Sequence, residues 1–282
     1  MKKLITVHRN VFLLSAILII TILISACSII QFKYDTVQEK QGVTPNKNIR
    51  GTLNMALAWG QRLSPPRQYS RVIINLKDAM TKWTDVTTIL DDHLMLDSPK
   101  LHKMPFVLVT TDKAFELTST ERGNIKKYLT NGGFMVLDNP EANADRSQAE
   151  SSLRKMLRDV LGAGSRLEPI SISHEIYHCY FDFTDGPPIG SENRKRVVRR
   201  DVDVEIGPDG KPTEKVSEII KLPKQVRYLE GIFIGDRLAV VFSNKGYVVN
   251  WNDMSNNEAQ LKMGVNLMVF ALTQPGGIAS EE

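Results

Sequence analysis

The stretch from Pro105 to Pro140 constrains the fold more than any other, because three structural signals follow one another in it without interruption. Phe106–Thr110 is a short apolar, β-branched run that reads as a buried strand. Thr118-Ser119-Thr120-Glu121 is a capping box, in which the Thr118 hydroxyl and the Glu121 carboxylate satisfy backbone N–H groups at a helix start. The helix turns Ile125, Tyr128 and Leu129 inward and stops at Asn131-Gly132, where glycine supplies the left-handed residue. Phe134–Leu137 is a second buried strand, with Asp138-Asn139-Pro140 at its carboxyl end. In open α/β sheets ligands bind beyond the carboxyl ends of the strands. Asp138 and Asn139, and Asp112 after the preceding strand, are therefore candidate ligand contacts, although Asp-Asn-Pro is also ordinary turn chemistry.

The rest of the chain alternates in the same way. Thr52–Trp59 reads as the first strand and the loop to Gln68 carries Pro65-Pro66. From Tyr69 to Trp83, Val72, Ile73, Leu76, Met80 and Trp83 form a helical stripe, which assigns Trp83 to core packing. Asp85–Leu90 is a short strand, and Asp91 to Met104 a loop with a helical turn. Ser147–Leu161 is an amphipathic helix through Leu153, Met156, Leu157 and Val160. Leu167–Ile172 reads as a strand, and the aromatic run His174–Phe183 stays open between strand and loop. Gly231–Ile234 and Arg237–Ser243 flank Gly235-Asp236 as a hairpin. Tyr247–Trp251 is read as one more strand, and Glu258–Leu272 as a closing helix. This alternation argues an α/β domain with a mainly parallel sheet and helices on both faces.

The amino terminus sets the compartment. Lys2, Lys3, His8 and Arg9 precede an almost wholly apolar run, Val11 to Ile30, inside which lies Leu23-Ile24-Ser25-Ala26-Cys27. Small residues before a cysteine at the end of such a run resemble a bacterial lipobox. That resemblance implies cleavage before Cys27 and lipidation of its thiol, and two or more acyl chains anchor stably. The alternative is an uncleaved signal anchor, since twenty apolar residues span a hydrocarbon core of ~30 Å. Either way the positive flank stays in the cytoplasm and the domain lies outside it. Ser28 resembles the outer-membrane sorting default. Gln31 to Gly51 is polar and aperiodic, a tether.

With 36 Lys and Arg against 32 Asp and Glu, the net charge of +4 does not imply nucleic acid, and no aromatic-plus-basic recognition motif is present. The charge is local instead. Asn193-Arg194-Lys195-Arg196-Val197-Val198-Arg199-Arg200 is a basic run. Val202, Val204 and Ile206 then alternate with acids before the turn residues Gly207-Pro208-Asp209-Gly210. Pro187 to Arg227 therefore reads as a solvated β-hairpin insertion, with lipid headgroup contact as the sharper alternative.

Five segments, in this order, resemble a bacterial family catalogued as domain of unknown function 4159. They are Leu101-His102-Lys103-Met104-Pro105-Phe106, then Tyr128-Leu129-Thr130-Asn131-Gly132-Gly133-Phe134, then Leu167-Glu168-Pro169 leading to His174-Glu175-Ile176-Tyr177-His178. Leu229-Glu230-Gly231-Ile232-Phe233 with Arg237-Leu238-Ala239-Val240, and Gly264-Val265-Asn266-Leu267, complete the set. The resemblance spans Thr52 to Thr273. It implies a class I glutamine amidotransferase-like fold, a flavodoxin-like three-layer sandwich, and no established activity. The chain departs from the family pattern at Asn139, where a second acid is common, and in the insertion.

An active amidotransferase needs a nucleophilic cysteine on a sharp strand-to-helix turn, with a histidine base. The turn after Phe134–Leu137 is Asp138-Asn139-Pro140-Glu141-Ala142 and holds neither Cys nor Ser. Cys27 lies in the export segment, so Cys179 is the lone thiol of the domain, and a lone cysteine in an aromatic run reads as a small hydrophobe. His174 and His178, four apart, share a face in helix or strand. Two imidazoles could bind a metal with Asp182 or Asp138 as oxygen donor, but two ligands do not make a site, and no metal or cofactor is expected.

The expected organisation is an anchor over residues 1–30, a tether over 31–51, an amidotransferase-like domain over 52–274 with the insertion at 187–227, and a tail over 275–282. The expected function is a membrane-tethered, noncatalytic binding domain of the bacterial cell envelope. It would take a small polar ligand or a partner protein at Asp138, Asn139, His174, His178 and Asp112. The alternatives are a hydrolase using His174 or His178 with Asp138 or a metal, and an envelope-assembly component acting through the insertion.

Overall fold

The computed structural model describes residues 49–144, 147–193, 196–206, 212–221 and 226–281. The expected export segment with Cys27 and nearly all of the expected tether lie outside these residues. Among the described residues no helix is long and apolar enough to cross a membrane.

The elements are β1 (Arg50–Trp59), α1 (Val72–Trp83), β2 (Asp85–Met95), β3 (Phe106–Thr110), α2 (Ser119–Thr130), β4 (Met135–Asp138), α3 (Gln148–Leu161), β5 (Glu168–Pro169), β6 (Arg196–Ile206), β7 (Pro212–Lys221), β8 (Glu230–Ile234), β9 (Arg237–Ser243), α4 (Tyr247–Asn252) and α5 (Glu258–Thr273). Seven strands form one sheet in the order β2-β1-β3-β4-β9-β8-β5. The first five run parallel, while β8 is antiparallel to β9 and β5 to β8. Every residue of β3 and β4 is buried, as strands covered on both faces must be.

Alternation along each strand sends residues to two cores. Leu53, Met55, Phe106, Leu108, Phe134 and Val136 pack with residues of α1, α4 and α5. Ala56, Val107, Val109, Met135, Leu137 and Val240 pack on the other face with residues of α2 and α3. The domain is thus a three-layer α/β/α arrangement. The capping box at the head of α2 is complete: Glu121 N–H donates to Thr118 Oγ1 at 3.2 Å, and Thr118 N–H to Glu121 Oε2 at 2.7 Å. Gly132 ends that helix at φ +94°.

Three expectations change. Tyr247–Trp251 is helix α4, not a strand. Tyr247, Val248 and Trp251 fit one helical face as well as they fit a short strand, so periodicity alone does not separate the two. Gly246 decides, holding φ +63° just before the helix, and so does a distant carboxylate described below. β2 runs on to Met95 because a bulge at Asp92 and His93 absorbs its polar residues (Ala56 pairs with Asp91, Ala58 with Leu94). β5 shrinks to two residues, since Pro169 has no N–H to continue a ladder. In the segment expected as a tail, Ile278 N–H donates to Gly132 O at 3.2 Å and Ile278 packs on the core.

The segment from His174 to Phe183 is a loop with one 3-10 turn, pinned by a single buried side chain. Asn266 of α5 donates to Ile176 O at 3.1 Å and Phe181 O at 2.8 Å, and accepts from Phe181 N–H at 2.7 Å. In the insertion, β6 and β7 pair antiparallel as a two-stranded sheet of their own. Its turn, 207–211, lies outside the described residues.

Candidate functional site

The strand order makes one crevice in the sheet. From β1 the chain passes through α1 to β2 on one side, and from β3 through α2 to β4 on the other. The loops after β1 and β3 therefore diverge to opposite faces, which is the geometry of a topological switch point. Between them lies a cavity of about 440 Å³ lined by Trp59, Ser64, Pro65, Pro66, Arg67, Gln68, Asp112 and Lys113.

Its walls are held from below. Glu121, fully buried, accepts Gln61 N–H at 2.8 Å with the oxygen that the capping box leaves over. Gly60 has to be glycine for that contact, because a Cβ there would lie 2.6 Å from Glu121 Oε1. The bulge in β2 leaves the Asp92 carbonyl to accept Trp59 Nε1–H at 2.9 Å, and the indole stacks on His93 at 4.3 Å. Lys113 N–H donates to Thr111 Oγ1 at 3.2 Å, which fixes the turn carrying Asp112 and Lys113. The crevice thus presents one carboxylate, two cations and an indole on a braced frame, a set that suits a small polar molecule.

Of the expected contacts, Asp112 alone lines this crevice. Asp138 and Asn139 do stand at the carboxyl end of β4, but both are fully buried. Asp138 accepts Tyr247 N–H at 3.0 Å through Oδ1 and Val248 N–H at 2.9 Å through Oδ2. It is the anion at the start of α4, satisfying two donors that a helix leaves unpaired. Burial outweighs these bonds and the one to Ser243, and raises its carboxyl from 3.8 to about 6. Asn139 accepts Glu141 N–H at 3.0 Å and the Ser147 hydroxyl at 2.9 Å, and donates to Asn244 Oδ1 at 2.8 Å. It closes its own turn.

The histidines stand elsewhere. His174 lines a cavity with Arg237 and Leu238 at the amino end of β9, whereas Asp138 pairs with Ser243 at the carboxyl end of that strand. His178 has both ring nitrogens taken within its own loop, by Asp182 and by Ile172 O. Asp138 and Asn139 therefore share no cleft with His174, which stands at the opposite end of the strands, or with His178, whose ring is engaged within its own loop. Among the described residues no three His, Cys, Asp or Glu side chains gather as a metal-holding group. Cys179 Sγ donates to Asn266 O at 3.2 Å.

Sequence reasoning missed Lys245 and Glu192. Lys245, just past β9, is fully buried, and its ammonium lies 2.5 Å from Glu192 Oε1. Lys245 Nζ also donates to Val226 O, so it ties both roots of the insertion to the sheet. Burial pushes the Glu192 carboxyl up against the pull of Lys245. A cavity of about 480 Å³ lined by Asp185 to Ile189, Glu192, Asn193, Val226 and Arg227 lies at the same root. The signal was available in Ser243-Asn244-Lys245, a polar run at the carboxyl end of a central strand. Reading Tyr247–Trp251 as a strand hid it.

Residues 64–272 match the model of a family described as Domain of unknown function (DUF4159). The match covers most of the chain, which belongs to that family. No curated protein matches it.

Proposed function

We propose that this DUF4159 domain is a noncatalytic, membrane-tethered binding module of the bacterial cell envelope, and that it holds a small polar ligand in the crevice between the β1 and β3 loops. The order β2-β1-β3-β4-β9 supports a flavodoxin-like, amidotransferase-like reading of the sheet. The observation that carries the proposal is the cavity of about 440 Å³ at the point where that order reverses. Lys113 and Arg67 offer charge to an anionic group, Asp112 accepts from a donor, and Trp59 supplies a flat wall. The absence of chemistry rests on the β4 turn. Its sequence holds no Cys or Ser nucleophile, and Asp138 and Asn139 are engaged in holding α4 and the turn.

The test is a screen of small carboxylates, phosphates and amino acids against the full chain, followed through the Trp59 indole N–H resonance. A ligand that shifts Trp59, and loses at least tenfold in affinity with Lys113→Ala, supports the reading. Turnover of an amide or ester abolished by Asp112→Ala would replace it with an enzymatic one. Tethering is tested separately, by palmitate incorporation that Cys27→Ala abolishes.

A second reading is favoured by one observation. Among the described residues β6 and β7 pair with each other and with no strand of the main sheet, a two-stranded ribbon of the kind that other chains can extend. It supports a role in envelope assembly. Crosslinking from Arg196 in cells that captures no neighbour would remove it.

A further inference from the structure

The cavity at the amino end of β9 carries a group that the fold does not use. It has a volume of about 440 Å³ and is lined by His174, Glu175, Ile234, Asp236, Arg237, Leu238, Phe270 and the residues from Gln274 to Gly276. Gln274 is 3% exposed, and neither its Nε2 nor its Oε1 has a hydrogen-bond partner among the described residues. A buried carboxamide brings two donors and an acceptor that folding strips of water. Nothing in the packing of α5 demands one: the backbone of Gln274 already closes the helix through its N–H to Phe270 O at 2.9 Å. Both atoms lie beneath the cavity lining rather than on it, so pairing with a ligand requires the Gln274 side chain to rotate into the cavity.

The surroundings narrow what would meet it. The His174 ring packs against Phe270 at 5.5 Å and Phe233 at 5.8 Å, so one side of the cavity is aromatic. His174 Nδ1 accepts Ile176 N–H at 3.1 Å, which leaves the ring proton on Nε2 as a donor. Burial lowers the affinity of that ring for a second proton, so it stays neutral. The Arg237 guanidinium is turned away, donating to Gly133 O at 2.8 Å and to Leu129 O. An anion therefore finds no free cation at Arg237, while a neutral flat molecule finds aromatic walls and an amide.

We propose that this cavity is a second ligand site, distinct from the β1–β3 crevice, that takes a small flat neutral molecule with a hydrogen-bond donor beside an acceptor, paired edge to edge with the Gln274 amide. A primary carboxamide, a lactam or a nucleobase edge has that pattern. Glutamine reads adenine by the same two-point pairing, so the pattern selects for the donor and the acceptor together.

Saturation-transfer NMR on the full chain, with nicotinamide and uracil as probes, tests this. Their controls are N,N-dimethylnicotinamide and 1,3-dimethyluracil, which keep the ring and the acceptors but lose the donors. The wild type is expected to bind at least one probe about tenfold more tightly than its methylated control, the worth of one hydrogen bond. Gln274→Leu is expected to bind probe and control alike and to melt no lower than the wild type, because it removes an unpaired polar group. Three results would overturn the proposal: neither probe binds, each binds no better than its control, or Gln274→Leu melts well below the wild type. The last would mean that the amide serves the fold.

Discussion

Two adjacent strands, β3 and β4, each end in a polar turn with an aspartate, and the two turns have opposite fates. Thr110 and Asp138 are register partners, so Asp112 and Asp138 leave the sheet side by side. Asp138 is fully buried and holds two N–H groups of α4, whereas Asp112 stays half-exposed in a crevice. Topology explains the difference. At β4 and β9 the chain brings a helix start down onto the strand ends, and Gly246 lets it approach, since a Cβ there would lie 3.3 Å from Asn139 O and would clash with the Ser191 side chain. At β1 and β3 the loops part to opposite faces and nothing descends. A carboxylate at a strand end thus becomes part of the fold or part of a site according to whether a helix amino terminus docks on it.

The largest effect expected from breaking this contrast is at Lys245. Lys245→Met leaves Glu192 buried without its counter-charge, which costs about 3–5 kcal/mol. The double variant with Glu192→Leu should recover most of that loss, because the unpaired charge is the main cost. Denaturant melts of the three proteins check this, and a double variant no more stable than Lys245→Met would mean that the pair matters through something other than charge.

Next is Asp138→Ala, expected to cost about 2 kcal/mol at pH 7 through the two N–H groups it strands. Its pH dependence has a definite sign. Because the folded carboxyl titrates at about 6 rather than 3.8, the folded state holds the proton more tightly. That contribution is complete below about pH 3.8 and is lost as pH rises through 6. The gap between wild type and Asp138→Ala should therefore narrow from pH 4 to pH 7, by up to about 3 kcal/mol. A gap that widens with pH would mean that the α4 amino terminus outweighs burial.

These sealed groups also mark where sequence reasoning stops. The elements from β3 to α3 were legible because their signals are local: a capping box at Thr118 and Glu121, a glycine stop at Gly132, apolar runs. The α4 helix was not, because what makes it a helix is Asp138, 109 residues upstream of Tyr247. The position of Asp138 was readable and its partner was not. His174 and His178, paired by spacing, serve different surroundings because a 3-10 turn between them obeys neither helical nor strand periodicity. The crevice was half legible: Asp112 followed from the rule for strand ends, while Trp59, Arg67 and Lys113 required the strand order, which no local pattern contains.

Glu121 is the point where the two kinds of chemistry meet, a buried carboxylate that holds up the open site. Glu121→Gln replaces one acceptor oxygen with an amide that faces a backbone N–H of Thr118 or Gln61. A cost of about 1.5–2 kcal/mol is expected. The comparison sharpens if the loss is not confined to stability. Hydrogen exchange at Gln61 should speed up while the amides of β4 stay protected. Equal loosening of both would show that the crevice and the sealed corner do not open independently.

The smallest expected effect carries the most weight for function. Asp112→Ala and Lys113→Ala remove side chains that reach into the crevice without closing any buried bond, and each should change stability by no more than about 0.5 kcal/mol. The turn itself survives, because it is the Lys113 backbone N–H, not the side chain, that bonds Thr111 Oγ1. Polar side chains that cost nothing to remove from the fold, on a frame braced by a buried carboxylate and a bulged strand, are what a binding crevice requires and a structural corner does not. Thermal melts of the two variants should therefore superimpose on the wild type while affinity for a crevice ligand falls. A melt that drops by several degrees would place Asp112 beside Asp138, as a second carboxylate committed to holding the strand ends shut.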